Sequence, residues 1–408
     1  MAVGVACALL AAGPAAASIS RSRLARGLSH QMQRVGGASG AWVYDLDASD
    51  HGLLFSWASK TPRVLASNSK LFTTAAILHR YGADGKLGTR LYPQPRSALH
   101  RHAIRGNLVI VGGGDPALAS SGFAKHNDLP VTPLGPLARR VRQAGIERVT
   151  GKVLADDSVF DRKRGVPTGG VDASGELPPL SGLSYDSGFV HGHYAPSPEL
   201  VAARALTDKL RHYGVRVKHG TGRVSNTALE RHPLATVSSP GMGTLITATN
   251  RPSNNFFAEM LLKRLAANGN HPGTTRRGAN KAERYARKLG ADVHMVNGSG
   301  LSRSNRASPK SVGHLLRAMS TRTDHAVYRS SLPLAGREGT LSGRMRGTAA
   351  EGNCRAKTGT LNLVSALSGY CNAGRDTVAF SILMNSVDIS VAQDVQDKMA
   401  SLISRYRP

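Results

Sequence analysis

The sequence predicts an α/β protein of the α+β type: an antiparallel sheet flanked by helices, built from both ends of the chain, with a large mixed α/β segment inserted between them. Three observations predict it. Short β-type runs lie near the start and cluster again near the end; helical periodicity sets in at Ser67 and again after Pro252; and residues 90–244 change to short strands alternating with helices. At 408 residues the chain exceeds one ordinary hydrophobic core. The division expected is 1–17 as an export signal, 18–89 and 245–408 as two parts of one domain, and 90–244 as the insert.

Each element has its own signal. Residues 2–17 form an Ala-rich apolar run ending in Ala15-Ala16-Ala17, the pattern of a secretory h-region and its cleavage site, although no basic residue precedes it. It is too short to span a bilayer. An exported, periplasmic or extracellular, wall-associated protein is the expectation. Gly40–Leu46 and Leu53–Trp57 flank the turn-rich stretch Asp47–Gly52 and read as a hairpin. Leu71, Phe72, Ala75, Ala76 and Leu78 then recur at helical spacing, with Gly82 as the stop and Ser67 at or near the start.

Within the insert, Leu108–Val111 and Val153–Ala155 read as strands, and helices are expected near 134–144 and 198–213. Gly112-Gly113-Gly114-Asp115 follows a strand but lacks the context of a phosphate loop, so it reads as a tight turn. Pro252-Ser253 opens an apolar-faced helix, with Ser253 as a candidate N-cap. Ser308-Pro309 starts another. Arg355–Thr360, Val364–Cys371 and Thr377–Met384 read as a three-stranded meander, and the stripe Val395, Met399, Leu402 and Ile403 marks a last helix covering it.

Composition narrows the function classes. Hydrophobic residues make up 40% and charged residues 19%, a globular balance, and the formal net charge is +27. Such a surface attracts polyanions, so anionic wall polymers or a membrane surface are candidate partners. With 5% aromatics and no nucleic-acid-binding signature, no nucleic-acid partner is expected. Once the signal is removed, Cys354 and Cys371 remain, and a hairpin turn near Asn362 sets them opposite each other. They read as a cross-strand disulfide, with two buried free thiols as the alternative.

Three short motifs carry the chemistry. Ser67-Asn68-Ser69-Lys70 places a hydroxyl and an amine one helical turn apart, a nucleophile beside a base, provided something lowers the lysine pKa. Alone, the tetrapeptide is explained by a solvated helix start. Ser253-Asn254-Asn255 adds a hydroxyl that can relay a proton and an amide, Asn255, that can hold a substrate carbonyl. Lys357-Thr358-Gly359 adds an ammonium and a hydroxyl suited to a terminal carboxylate, with a glycine that admits substrate backbone. Each motif occurs once, in the order found in serine acyl-transfer enzymes that react with β-lactams.

With these motifs the chain resembles the low-molecular-mass penicillin-binding proteins of the D-Ala-D-Ala carboxypeptidase/endopeptidase family that carry a large insert between the first two motifs. Further matching stretches are Gly112–Pro116, Gly298–Arg303, Gly339–Leu341 and Ala356–Leu361. The resemblance implies a β-lactamase/transpeptidase-like domain and a serine-type D-Ala-D-Ala carboxypeptidase, with endopeptidase action on cross-links as an added activity. It assigns Ser67 as the acylated nucleophile, Lys70 as its base, and Ser253 with Asn255 as relay and orienting pair. Lys357, Thr358, Gly359 and Thr360 become the substrate strand, with the N–H groups of Ser67 and Thr360 as the oxyanion hole. Like charge on Lys357 is expected to help keep Lys70 neutral.

No metal or organic cofactor is expected; the partners implied are peptidoglycan stem peptides and β-lactams as covalent inhibitors. Two positions depart from the family pattern: Asn297, usually Asp, and Asn254, more commonly Asp. The competing readings are a β-lactamase-like or esterase-like hydrolase on the same scaffold, and a non-catalytic wall-binding scaffold.

Overall fold

Alternation along the strand Ser39–Asp45 sets the architecture: Ala41 and Val43 point into one hydrophobic cluster and Trp42 into another, so the strand is covered on both faces. In the computed structural model, which describes residues 18–168, 175–224, 232–269 and 271–408, this strand belongs to a five-stranded antiparallel sheet. The strand order is 354–361, 364–373, 376–385, 39–45, 53–57. The expected export signal at 1–17 lies outside the described residues.

One face of the sheet is closed by the chain ends, with helix Arg21–Gln33 laying Leu24, Leu28 and Met32 beside Val395, Met399 and Ile403 of helix Ile389–Arg405. Asp388 caps that last helix, its Oδ1 accepting the N–H groups of Ser390 and Val391. On the other face Trp42, Ala366, Tyr370 and Leu383 meet the helices Ser69–Tyr81, Met242–Asn250, Asn255–Ala266 and Pro309–Ser320. Coverage on both sides explains why Val364–Ala373 is buried along almost its whole length. Truncating a fully buried member such as Leu383 or Phe380 to Ala would cost about 3 kcal/mol.

The segment between the two halves builds two smaller sheets. In the first, Asn107–Val111, Val153–Asp156 and Thr221–Arg223 run parallel, and Gly88–Gln94 joins antiparallel with Ala235–Ser238 at its edge. The second has the order Arg216–Val217, Arg148–Val149, Ala103–Ile104, Leu99–His100. Helices Gly135–Gln143 and Pro198–His212 pack Leu137, Val141, Leu206 and Leu210 onto these sheets. The Gly112–Gly114 segment is not the tight turn expected, since its backbone bonds to Asp156 and Gly182 and the turn falls at Pro116–Ala117, but a packing device. Gly112 and Gly113 lie so close to the carbonyls of Gly182 and Gly88 that a Cβ would fall within 2.1 and 2.3 Å of them, and Gly114 has φ +76°.

One boundary differs from the sequence reading. The second motif's helix begins at Asn255, and its cap is Asn254, whose Oδ1 accepts the Phe257 N–H at 3.0 Å; Ser253 stands outside with φ +61°. Asn and Asp cap equally well, so Asn254 keeps the local geometry that an Asp would give.

Candidate active site

The chemistry is assembled where helix Ser69–Tyr81, the second motif's helix and the strand Cys354–Leu361 meet. Ser67 lies in a single 3-10 turn, Ala66–Asn68, that runs directly into helix Ser69–Tyr81. Ala66 adopts φ +45° to make that turn. Neighbouring backbone holds it. Gly300, at φ +89°, packs so tightly that a Cβ would sit 1.9 Å from the Ala66 carbonyl oxygen, and a Cβ at Gly359 would lie 3.1 Å from the Ser67 nitrogen. The Asn68 Nδ2 donates to the Lys357 carbonyl at 3.0 Å, tying the substrate strand to the nucleophile turn.

Lys70 is fully buried, and its Nζ has three neighbours: Asn255 Oδ1 at 2.7 Å, the Ser299 carbonyl at 2.7 Å and Ser67 Oγ at 3.0 Å. The first two are acceptors only, so they take two of the nitrogen's hydrogens. In the neutral amine the position left over is the lone pair, directed at the Ser67 hydroxyl. Burial pulls the Lys70 pKa down to about 7, against the opposing pull of Glu259 and Glu176. An amine so placed can take the serine proton near neutrality.

Lys357 is also fully buried, with its Nζ donating to the Thr358 carbonyl at 3.0 Å. Burial, and then the charge of Lys70, hold its pKa well below the ordinary lysine value. This is the same like-charge pair through which Lys357 is expected to help keep Lys70 neutral. The repulsion is mutual, so each ammonium disfavours the other, while burial is the first cause of the depression at both lysines. The Thr358 hydroxyl is bound to the Thr340 hydroxyl at 2.7 Å, while the Thr340 N–H bonds the Arg251 carbonyl beside the second motif. Thr360 is exposed at the strand's outer end.

Ser253 is brought to the same region on its tight turn, but its hydroxyl makes no hydrogen bond to Ser67 or Lys70. Asn255 is divided: Oδ1 serves Lys70, while Nδ2 faces the carbonyl and carboxylate oxygens of Glu176, each at 3.3 Å. Cys354 and Cys371 are cross-strand partners and form a disulfide, on the sheet face opposite the catalytic helices.

Glu259 was not legible as a site residue. It lies one turn after Asn255, fully buried, and its Oε1 accepts the N–H groups of Gly298 and Ser299 at 2.9 and 2.7 Å. Burial raises its pKa, while hydrogen bonds from Ser299 and Gly298 and the charge of Lys70 pull it back. Its only sequence signal was an acid on the apolar face of a helix, four residues after Asn255. Asn297 keeps the same loop in order by neutral bonds: Oδ1 accepts from Gly300 N and Asn305 Nδ2, and Nδ2 donates to the Pro167 carbonyl, which an Asp could not do.

The model of the D-Ala-D-Ala carboxypeptidase 3 (S13) family matches residues 24–193 and 193–406. The chain belongs to that family. A D-alanyl-D-alanine carboxypeptidase from Actinomadura sp. is 28% identical over 98% of this chain and 88% of its own. The carboxypeptidase DacB of Mycolicibacterium smegmatis is 29% identical over 83% of this chain and 75% of its own. The fold is shared with penicillin binding protein 4 from Haemophilus influenzae, with a TM-score of 0.73 at 20% identity, covering 91% of this chain and 97% of that one. Family membership makes the chain a serine-type peptidase of the penicillin-binding class.

Proposed function

We propose that this protein removes the terminal D-Ala from D-Ala-D-Ala stem peptides through a Ser67 acyl-enzyme, and that β-lactams acylate the same serine. The observation that carries the reading is the Lys70 nitrogen: two hydrogens fixed by Asn255 and Ser299, a pKa near 7, and the remaining valence 3.0 Å from Ser67 Oγ.

In the first step the Ser67 oxygen bonds to the carbonyl carbon of the penultimate D-Ala as Lys70 takes the hydroxyl proton. The substrate oxygen gains the electron pair and is held by the N–H groups of Ser67 and Thr360. On collapse the peptide C–N bond breaks, and the departing amine takes a proton from Lys70, relayed by the Ser253 hydroxyl. Water then attacks the ester with Lys70 again as base, freeing the shortened peptide and restoring Ser67. The terminal carboxylate of the substrate is bound by Lys357 and Thr358; its negative charge favours the ammonium form of Lys357, which in turn favours a neutral Lys70.

Cross-linked peptides present the same D-Ala carbonyl, so endopeptidase action belongs to this proposal, as do export to the wall and attraction of the +27 chain to anionic polymers there. Among the described residues no helix is long and apolar enough to cross a membrane. The test is labelling with a fluorescent penicillin alongside D-Ala release from a soluble D-Ala-D-Ala peptide. Wild type should do both and Ser67→Ala neither; a Ser67→Ala variant that still labels would overturn the assignment.

A further inference from the structure

The edge of the second small sheet carries a feature that catalysis does not use. Strands Arg148–Val149 and Arg216–Val217 pair in parallel with Arg148 directly beside Arg216. Strand periodicity puts Thr150 and Lys218 on the same side as these arginines, while Val149 and Val217 turn inward to the core. With Arg211 from the end of helix Pro198–His212, these residues line a cleft of about 720 Å³ that has no acidic group among the described residues. Among the described residues, Arg211 alone of its four cations has an ion-pair partner, Asp208 at 3.8 Å, and both members of that pair are solvent-exposed.

Like charges directly opposite on adjacent strands destabilise a sheet unless an anion lies between them. Guanidinium groups are also the side chains best matched to the paired oxygens of a phosphate. This cleft also differs from the rest of a very basic surface. A second cationic cleft, lined by Lys60, Arg306 and Lys310, provides the comparison: Asp292 lies in its wall, within 3.9 Å of Arg287, and His294 there faces Glu283 at 3.5 Å. Among the described residues the Arg148 and Arg216 cleft has no acid in its wall.

We propose that the Arg148, Arg211, Arg216 and Lys218 cleft binds the phosphodiester backbone of a wall-linked anionic polymer. It rests on the reading that the enzyme works at the cell wall, and it names the part of the surface that holds the polymer. The cleft lies on the segment between the two halves of the catalytic domain, and none of its residues contributes to the Ser67 site. A polymer held there leaves the catalytic groups free and keeps the enzyme beside its substrate.

The experiment compares the whole protein with two charge-matched variants, Arg148→Gln/Arg216→Gln/Lys218→Gln and Lys60→Gln/Arg306→Gln/Lys310→Gln. Affinity for poly(glycerol phosphate) is measured across a salt series, and D-Ala release from a soluble peptide is followed in parallel. The first variant should lose about tenfold or more in affinity with a shallower salt dependence, the second much less. Peptide hydrolysis should be unchanged in both, and loss of the Arg148 and Arg216 repulsion should leave the thermal midpoint equal or higher. Equal losses in the two variants would overturn the site in favour of diffuse surface charge. Binding to vesicles containing phosphatidylglycerol, with none to the soluble polymer, would overturn the choice of partner. Failure of peptide hydrolysis in the wild type would count against the carboxypeptidase reading and leave the polymer result to stand or fall separately.

Discussion

Glu259 reaches Lys70 through a single residue: its carboxylate accepts the Ser299 N–H at 2.7 Å, and the carbonyl of Ser299 accepts from Lys70 Nζ at 2.7 Å. The acid thereby fixes the position of an acceptor that orients the base. It also acts on the base by charge, raising the Lys70 pKa against the effect of burial.

Glu259→Gln keeps an acceptor oxygen for both N–H groups and removes the charge. The acidic limb of the acylation profile should therefore move to lower pH, while Glu259→Ala, which also releases the loop, should lose acylation at every pH. Stopped-flow labelling with a fluorescent penicillin between pH 5 and 9 separates the two effects. An unmoved limb in Glu259→Gln, with full activity, would mean that the acid is already protonated when Lys70 titrates.

For wild type the base works as the free amine, so acylation should rise with pH through about 7. Stability carries the matching signature. The folded Lys70 pKa is depressed below the ordinary 10.5, so between about 7 and 10.5 the unfolded chain binds more protons than the native one. Relative to Lys70→Met, wild type should accordingly gain stability as pH rises through that window, measured by urea unfolding. A difference independent of pH would contradict the buried, discharged lysine.

Gly300 is a sharper structural test. A Cβ there would meet the Ala66 carbonyl oxygen at 1.9 Å from a backbone with φ +89°, so Gly300→Ala must displace the turn bearing Ser67. A loss of about 3 kcal/mol or more in stability is expected, together with slowed acylation in whatever fraction folds. Gly343→Ala, where a Cβ meets nothing within 4 Å, serves as the control.

Reducing Cys354–Cys371 should cost less than breaking the core. The bridge spans 17 residues of chain between strands already paired over eight positions, so about 3 kcal/mol is the most that loop closure offers. Cys354→Ala/Cys371→Ala should lower the thermal midpoint and leave acylation intact, since the pair lies on the sheet face away from Ser67. Loss of labelling in a folded double variant would show that the bridge aligns the substrate strand.

Much of this was legible because it is written in local patterns. The meander, the last helix and Ser308 as the cap accepting Ser311 N follow from period-2 alternation, a helical stripe and cap chemistry. Helix Thr275–Lys288 was not anticipated, because its buried face is Gly278, Ala279, Ala282 and Ala286 with one Tyr, residues too small to raise an apolar signal. Helix Arg21–Gln33 hides among arginines. At the site, nucleophile and base could be paired by spacing, whereas Ser299, Glu259 and Thr340 act through backbone groups or across distant segments that no periodicity records.

Lys357 offers the most direct separation of binding from chemistry. Its ammonium has no anionic partner among the described residues, and it lies in the strand tied to the nucleophile turn through Asn68. A substrate with a free terminal carboxylate supplies the missing charge, while an uncharged ester does not. Lys357→Ala should therefore cost the carboxylate substrate about tenfold or more in kcat/KM, a loss of roughly 1.4 kcal/mol or greater in transition-state stabilisation, and cost the ester far less. Because the ammonium form of Lys357 also favours a neutral Lys70, the acidic limb for the carboxylate substrate should move to higher pH in the variant. Steady-state rates for a matched acid and ester pair, each across the pH range, measure both effects. Equal losses for the two substrates would remove Lys357 from the carboxylate site and leave it as a structural lysine of the strand.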